Sequence, residues 1–240
     1  KTIMKKILII AALKSEIGGL LQDRSCQLVS QWKKQSLFSL AGNRKMIYLG
    51  LTGVGKWNVR QFFNYFFKTR IKVDMIISTG YAGAIRMDLK VGQIILAEGI
   101  MDEIQKKYYR ILVPPGYHNE FTILKGVCTP AVVFDKGKKI LEKRYPGFSF
   151  VDMESGQVTD ICRKNKIPLL IMRVISDGRN FKFPAMEFIR DSVKGINISS
   201  LIRGMINDPL TVGRIFLLRI NLWKAKRSLS RALENIISGI

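Results

Sequence analysis

Residues Val151 to Asn180 read VDMESGQVTDICRKNKIPLLIMRVISDGRN, a helix pattern that runs into a buried strand. Asp152, Met153 and Glu154 lead into Ser155, Val158, Thr159, Ile161 and Cys162, whose spacing fits a helix with one face on a core and two carboxylates at its start. Lys164 and Lys166 suit a C-terminal turn, and Pro168 blocks any continuation. From Leu169 to Ile175 the chain is apolar except at Arg173, which is how a strand covered on both faces of a parallel sheet reads. Asp177 then stands at the carboxyl end of that strand, the edge where open α/β sheets bind ligands.

The rest of the chain repeats this grammar. Lys5 to Leu13 reads as a first buried strand, with Glu16 just past its carboxyl end on the same sheet edge as Asp177. As a helix-start carboxylate facing the macrodipole, Glu16 would need no other role. Gln27 to Leu40 and Lys45 to Leu51 alternate loosely, with Gly42-Asn43 as a turn. Gly53 and Gly55 let the backbone turn into a helix over Asn58 to Thr69. Asp74 to Thr79 is the next buried strand, and Gly80, Ala82 and Gly83 allow close approach of backbone to a ligand. Val91 to Gly99 returns as a strand. Gln105 to Phe121 is polar and irregular, a place for a mobile lid. Val127 to Phe134 reads as a strand and Lys136 to Arg144 as a basic helix. Strands alternating with helices predict a doubly wound α/β/α fold around a central sheet.

Beyond Asn180 the pattern predicts a helix over Met186 to Asn197, a break at Asn207-Asp208-Pro209, and a long basic helix over Thr211 to Ser238. Leu218, Leu222, Ala225, Leu229, Leu233 and Ile236 share one face of it. Phe216, Ile220 and Trp223 lie opposite, among Arg219, Lys224 and Arg227. We read residues 1–240 as one domain with an amphipathic C-terminal extension at about residues 207–240.

Forty basic against eighteen acidic residues give a net charge of +22. Such a field attracts polyanions, although a solvated basic surface has the same composition. No nucleic-acid motif accompanies it, so no specific nucleic-acid partner is expected. Cys26, Cys128 and Cys162 are too scattered for a disulfide framework, which suits a reducing cytoplasm. His118 is the only histidine, so no multi-histidine metal centre exists; no metal or cofactor is expected. The apolar runs fall short of the roughly 20 residues of a membrane-spanning helix. Lys5-Lys6 and the apolar run after them imitate a secretory leader, but Lys14 and Glu16 follow at once.

The Asp152-Met153-Glu154-Ser155 cluster followed by Arg173-Val174-Ile175-Ser176-Asp177 resembles the nucleoside phosphorylase superfamily, in particular its methylthioadenosine/S-adenosylhomocysteine nucleosidase branch. Ile7 to Leu20, Leu49 to Val59 and Val73 to Ile95 agree with that pattern in order. The resemblance implies cleavage of a purine nucleoside's N-glycosidic bond through a cation-like ribosyl transition state. Asp177 would be a carboxylic acid, its pKa raised by burial, that protonates the leaving purine, with Ser176 positioning it. Glu16 would activate water. Glu154 would bind the ribose hydroxyls, Met153 would pack on the sugar, and Gly80 and Tyr81 would border the ribose and water. Arg173 would orient the acidic groups, unless it only pairs with an interior carboxylate. Val133 and Phe134 fall in the base-binding loop.

Two positions depart from the family. Tyr81 replaces a small serine, and Ser78 stands where hexameric phosphorylases carry a phosphate-binding arginine, which favours hydrolysis over phosphorolysis. The basic C-terminal helix is similar to that of hopanoid-associated members, whose substrate would be a lipid-linked adenosyl nucleoside. The partners implied are a small-molecule nucleoside, a second copy of the chain in a homo-oligomer, and an anionic membrane surface at the inner face. A binding protein with decayed chemistry is the competing reading.

Overall fold

The computed structural model describes residues 4–42, 45–183 and 210–239. Its core is one mixed sheet with helices on both faces. Strand β1 (Lys5–Ala11) lies parallel to β4 (Lys45–Leu51) on one side and to β5 (Met75–Ala84) on the other. Beyond β4 the sheet continues antiparallel through β3 (Gln35–Gly42) and β2 (Gln27–Trp32). The stretch read as one element from Gln27 to Leu40 is therefore a hairpin. Lys33 turns it with a φ of 50°, a left-handed turn conformation that a run of polar residues does not announce.

On its other edge β5 pairs in parallel with β10 (Leu169–Asp177), which runs antiparallel to β6 (Ile94–Asp102). β6 is parallel to β8 (Thr122–Cys128), β8 is parallel to β9 (Phe150–Asp152), and β9 returns antiparallel to the far end of β5. Five strands thus close a ring at one end of the sheet, filled by Ala82, Ala84, Ile95, Ala97, Ile100, Phe150, Ile171 and Ile175.

Two helices cover one face. In α2 (Lys56–Lys68), Val59, Phe62, Phe63 and Phe66 are buried at helical spacing. They pack with Val158 and Cys162 of α4 (Ser155–Lys164) over Leu8, Ile10 and Ile76. The other face is covered by the last helix, α5 (Leu210–Gly239), through Ala225, Leu229, Leu233 and Ile236 against Ile7, Ile9, Leu170, Met172 and Val174. A short helix α1 (Gly18–Leu21) and the longer α3 (Asp135–Arg144) complete the described elements. Among the described residues no helix is long and apolar enough to cross a membrane.

Several boundaries move from their sequence-based positions. β1 ends at Ala11, and a 3-10 turn at Lys14–Glu16 follows it. Asp152 belongs to β9, so only Glu154 among the two carboxylates adjoins the helix, as its N-cap residue. The segment Gln105 to Phe121 is not wholly irregular: β7 (Lys107–Arg110) pairs with β6, and Tyr109 and Ile111 are buried. Its two inward side chains were too few to show as a period. The strand expected over Val127 to Phe134 is β8, which stops at Cys128, just before Pro130 would remove a ladder donor. The Gly42-Asn43 turn, the helix over Met186 to Asn197 and the break at Asn207-Asp208-Pro209 lie outside the described residues.

Candidate active site

The carboxyl ends of β1, β5, β9 and β10 meet on one side of the sheet, and each delivers a polar side chain there. Past β1, the 3-10 turn buries Glu16 and folds its carboxylate back onto backbone donors. Leu13 N–H donates to Oε2 at 2.8 Å and Tyr81 N–H donates to Oε1 at 3.0 Å. Burial raises the Glu16 pKa above the usual carboxylate range, against these amides and the charge of Arg173. The close approach needs a glycine on β5, because a Cβ at Gly80 would stand 3.0 Å from Glu16 Oε1. The ring of Tyr81 is half-buried and packs against the central core; burial raises its pKa, with the Ser15 hydroxyl opposing.

After β9 the chain passes Met153, half-buried, to Glu154. Gly55 N–H donates to Glu154 Oε1 at 2.7 Å, so the start of α2 offers its helix N-terminus to this carboxylate. Gly55 takes a φ of 90° to do so. Desolvation, then the charge of Asp152, push the Glu154 pKa up to about 7, with Arg173 and the Gly55 amide opposing. Thr52, Ser78, Thr79 and Glu154 line a cavity of about 10 Å³, the size of one water. The buried Thr79 Oγ1 on its wall has no protein partner.

Arg173 sits beneath both glutamates, and all of its donors are taken. Nε donates to Asp152 Oδ2 at 2.7 Å; Nη1 donates to the carbonyls of Ser78 and Met172; Nη2 donates to the hydroxyls of Ser78 and Ser155. Burial pulls its pKa down, but Asp152 and the two glutamates outweigh this and raise it. The interior-carboxylate reading of Arg173 describes this geometry: it braces β5, β9 and β10 and carries positive charge below the site, with no N–H left for a ligand. Ser78 is turned to this same guanidinium, through both its carbonyl and its hydroxyl.

Asp177, at the end of β10, is buried, and both of its oxygens are engaged. Ser176 Oγ donates to Oδ1 at 2.7 Å, while Oδ2 accepts from Lys138 Nζ on α3. Lys138 is 0% exposed, donates also to the Gly178 carbonyl at 2.9 Å, and lies 5.7 Å from the centre of the Phe183 ring. The expected acid is therefore not a carboxyl isolated by burial; it is one half of a buried ion pair. Phe134 meets Phe183 edge-on at 5.2 Å, and Val133 packs under α3.

Most of the sequence-based residues are thus brought together, in two groups, while Val133 packs under α3 with Leu141. Glu16, Tyr81 and Arg173 meet at Gly80, with Glu154 beside Ser78 and Thr79 on the same strand; Ser176 and Asp177 lie near Gly83, where a Cβ would be 3.0 Å from Asp177 Oδ2 and 3.0 Å from Lys138 Cε, and Phe134 joins them through Phe183. Gly80 and Gly83 are three steps apart along β5, about 10 Å at roughly 3.3 Å per residue. Lys138 and Phe183 were not singled out from sequence, and Asp152 was given no role of its own in the site. For Lys138 a signal existed: Phe134, Lys138, Leu141 and Tyr145 follow helical spacing, so the lysine occupies a core position of an amphipathic stripe.

The description "Phosphorylase superfamily" belongs to the family model that matches residues 6–124. A 5'-methylthioadenosine/S-adenosylhomocysteine nucleosidase of Buchnera aphidicola is 32% identical over 133 residues, 45% of this chain and 57% of that protein. The chain thus matches little more than half the length of that relative. A nucleosidase of the same name from Oceanobacillus iheyensis is 25% identical over 225 residues, 79% of this chain and 97% of that protein. Among solved structures, a mutant of the Helicobacter pylori MTAN with 5'-methylthioadenosine in its active site superposes with a TM-score of 0.73 at 14% identity, covering 98% of this chain and 99% of that one. The Streptococcus pyogenes S-adenosylhomocysteine nucleosidase in complex with 5-methylthiotubericidin gives 0.63 at 20% identity, covering 73% and 85%. Taken with the closed mixed sheet, these matches give the chain the fold of these nucleosidases, and residues 6–124 are similar to the phosphorylase superfamily.

Proposed function

We propose that this protein hydrolyses the N-glycosidic bond of a purine nucleoside. The supporting observation is the order of three carboxylates along β5: Glu154 beside Ser78 and Thr79, Glu16 at Gly80 and Asp177 at Gly83. That span suits a nucleoside, sugar over the glutamates and purine at the aspartate. Glu154 holds the ribose hydroxyls and, when ionised, stabilises the positive charge that grows on the sugar. Glu16, with its pKa raised by burial, takes the proton of the attacking water. Asp177 delivers a proton to the purine, and Met153, Tyr81, Val133 and Phe134 enclose the ligand. The relatives' names point to 5'-methylthioadenosine as the first substrate to try. Hydrolysis is favoured over phosphorolysis because Ser78, where an arginine would grip phosphate, is bonded to Arg173.

Purine release from a panel of nucleosides led by 5'-methylthioadenosine, with and without phosphate, is the test. Release in phosphate-free buffer with free ribose product is expected. Asp177→Asn should lower the rate by about 100-fold or more, the usual worth of a positioned acid, in a folded protein. Absolute dependence on phosphate would make the enzyme a phosphorylase, and no release at all would favour a nucleoside-binding role.

We further infer that the protein works in the cytoplasm against the anionic inner face of a membrane, which would suit a lipid-linked substrate. The support is the first half of α5, where Phe216 is 66% and Trp223 is 59% exposed. Arg227 lies 5.5 Å from the Trp223 ring, and Arg219 and Lys224 are exposed beside it. Apolar rings among cations are the make-up of an interfacial anchor.

A further inference from the structure

Asp177 faces a chemical difficulty in the proposed reaction. A purine leaves only if it receives a proton, yet the carboxyl assigned to give it is salt-bridged to a buried lysine. The lysine is no accident of the surface. Lys138 is wholly buried, its ammonium is distributed over Asp177 Oδ2, the Gly178 carbonyl and the Phe183 ring, and Gly83 leaves just the space that the pair fills. Stability alone is a weak reason for such a pair, because well-packed apolar residues of similar volume commonly serve as well or better.

We propose that Lys138 is a positioning residue that acts as the proton reservoir behind Asp177. This rests on the nucleosidase reading above. In the resting pair the ammonium and the carboxylate together carry one transferable proton. When a purine is seated, that proton passes from Nζ to the carboxylate, leaving a neutral amine and a carboxylic acid. Asp177 gives it to a ring nitrogen as the electrons of the C1′–N bond move onto the purine. Water oxygen bonds to C1′ and its proton goes to Glu16; solvent then carries a proton back to the lysine. The pair begins with one more proton than it ends with, and the purine gains it. The advantage is a supply that survives at alkaline pH, where a lone carboxyl would already have lost its proton before substrate arrived.

The experiment compares kcat/KM for 5'-methylthioadenosine, or for the panel nucleoside cleaved fastest, across pH in wild type, Lys138→Gln and Lys138→Met. Glutamine keeps donors to Asp177 and the Gly178 carbonyl without a transferable charge, so it guards against loss of the fold that methionine could cause. The ratio of wild type to variant cancels the acid limb set by Glu16. That ratio should be within about 10-fold near pH 5.5 and grow to about 100-fold or more near pH 8.5, the range a general acid contributes, with the loss in kcat rather than KM. Lys138→Arg, which keeps a charge but releases its proton far less readily, should show the same alkaline loss. A ratio for Lys138→Gln that is constant with pH would overturn the reservoir and leave the lysine a structural tie. Wild type that releases no purine from any nucleoside would overturn the nucleosidase reading and this inference with it.

Discussion

Glu154, proposed to hold the ribose, also carries a pH-dependent part of the stability of the free protein. Its pKa in the fold is about 7, against 4.5 for the free group. Below about pH 4.5 both folded and unfolded chains hold the proton; between there and about 7 only the folded one does, so its contribution falls as pH rises and is level above. The loss amounts to about 3 kcal/mol at most, at 1.36 kcal/mol per pH unit. Glu154→Gln keeps the oxygen that Gly55 N–H needs. Urea unfolding of the free protein should therefore show wild type losing stability relative to the variant between about pH 4.5 and 7. Parallel curves through that window would mean that Glu154 is ionised throughout. The residue's place beside Ser155 and ahead of an apolar run was legible in the sequence; its partner Gly55, ninety-nine positions away, was not.

At the scale of elements, α2 and β4 meet so closely that one methyl group decides the fit. Gly50 on β4 lies under the Phe62 ring, and an alanine Cβ there would come within 2.3 Å of Phe62 Cζ. Phe62 has little room to retreat, stacked on Phe66 at 6.1 Å and edge-on to Phe63 at 5.7 Å. Gly50→Ala should cost about 1–3 kcal/mol by overpacking. Adding Phe62→Leu, which vacates the space, should recover part of that loss in a double-mutant cycle measured by urea unfolding. Additive losses would show that the ring moves freely and that the glycine matters for another reason. The helical spacing of the phenylalanines was plain in the sequence, whereas which strand glycine they cover depended on the pairing of β1, β4 and β5.

For the molecule as a whole, the membrane contact proposed for α5 shares a helix with part of the core. Its second half, with Leu229, Leu233 and Ile236, closes the core beneath β10, so truncating it would unfold the site and prove little. The informative change is Phe216→Ser with Ile220→Ser and Trp223→Ser, on the exposed side of the helix. Wild type should co-sediment with anionic liposomes at low salt and release them as salt screens the charges; the triple variant should stay in solution with its melting midpoint nearly unchanged. A wild type that ignores anionic liposomes, beside a variant that dissociates into monomers, would assign the patch to contact between subunits.

The alternation of buried strands and amphipathic helices, the placing of Glu16 and Asp177 at strand ends, and that of Glu154 at a helix start were determined by the sequence itself. Hydrophobic period and Pro/Gly punctuation are local properties, and a strand end is known once the strand is known. The ring closure of β5, β10, β6, β8 and β9, the full engagement of Arg173, and the seating of Lys138 on Asp177 were decided only by the tertiary structure. Each depends on segments tens of residues apart arriving at one place. A charge in a helix stripe shows that it must be buried, and only the assembled fold shows which opposite charge meets it there.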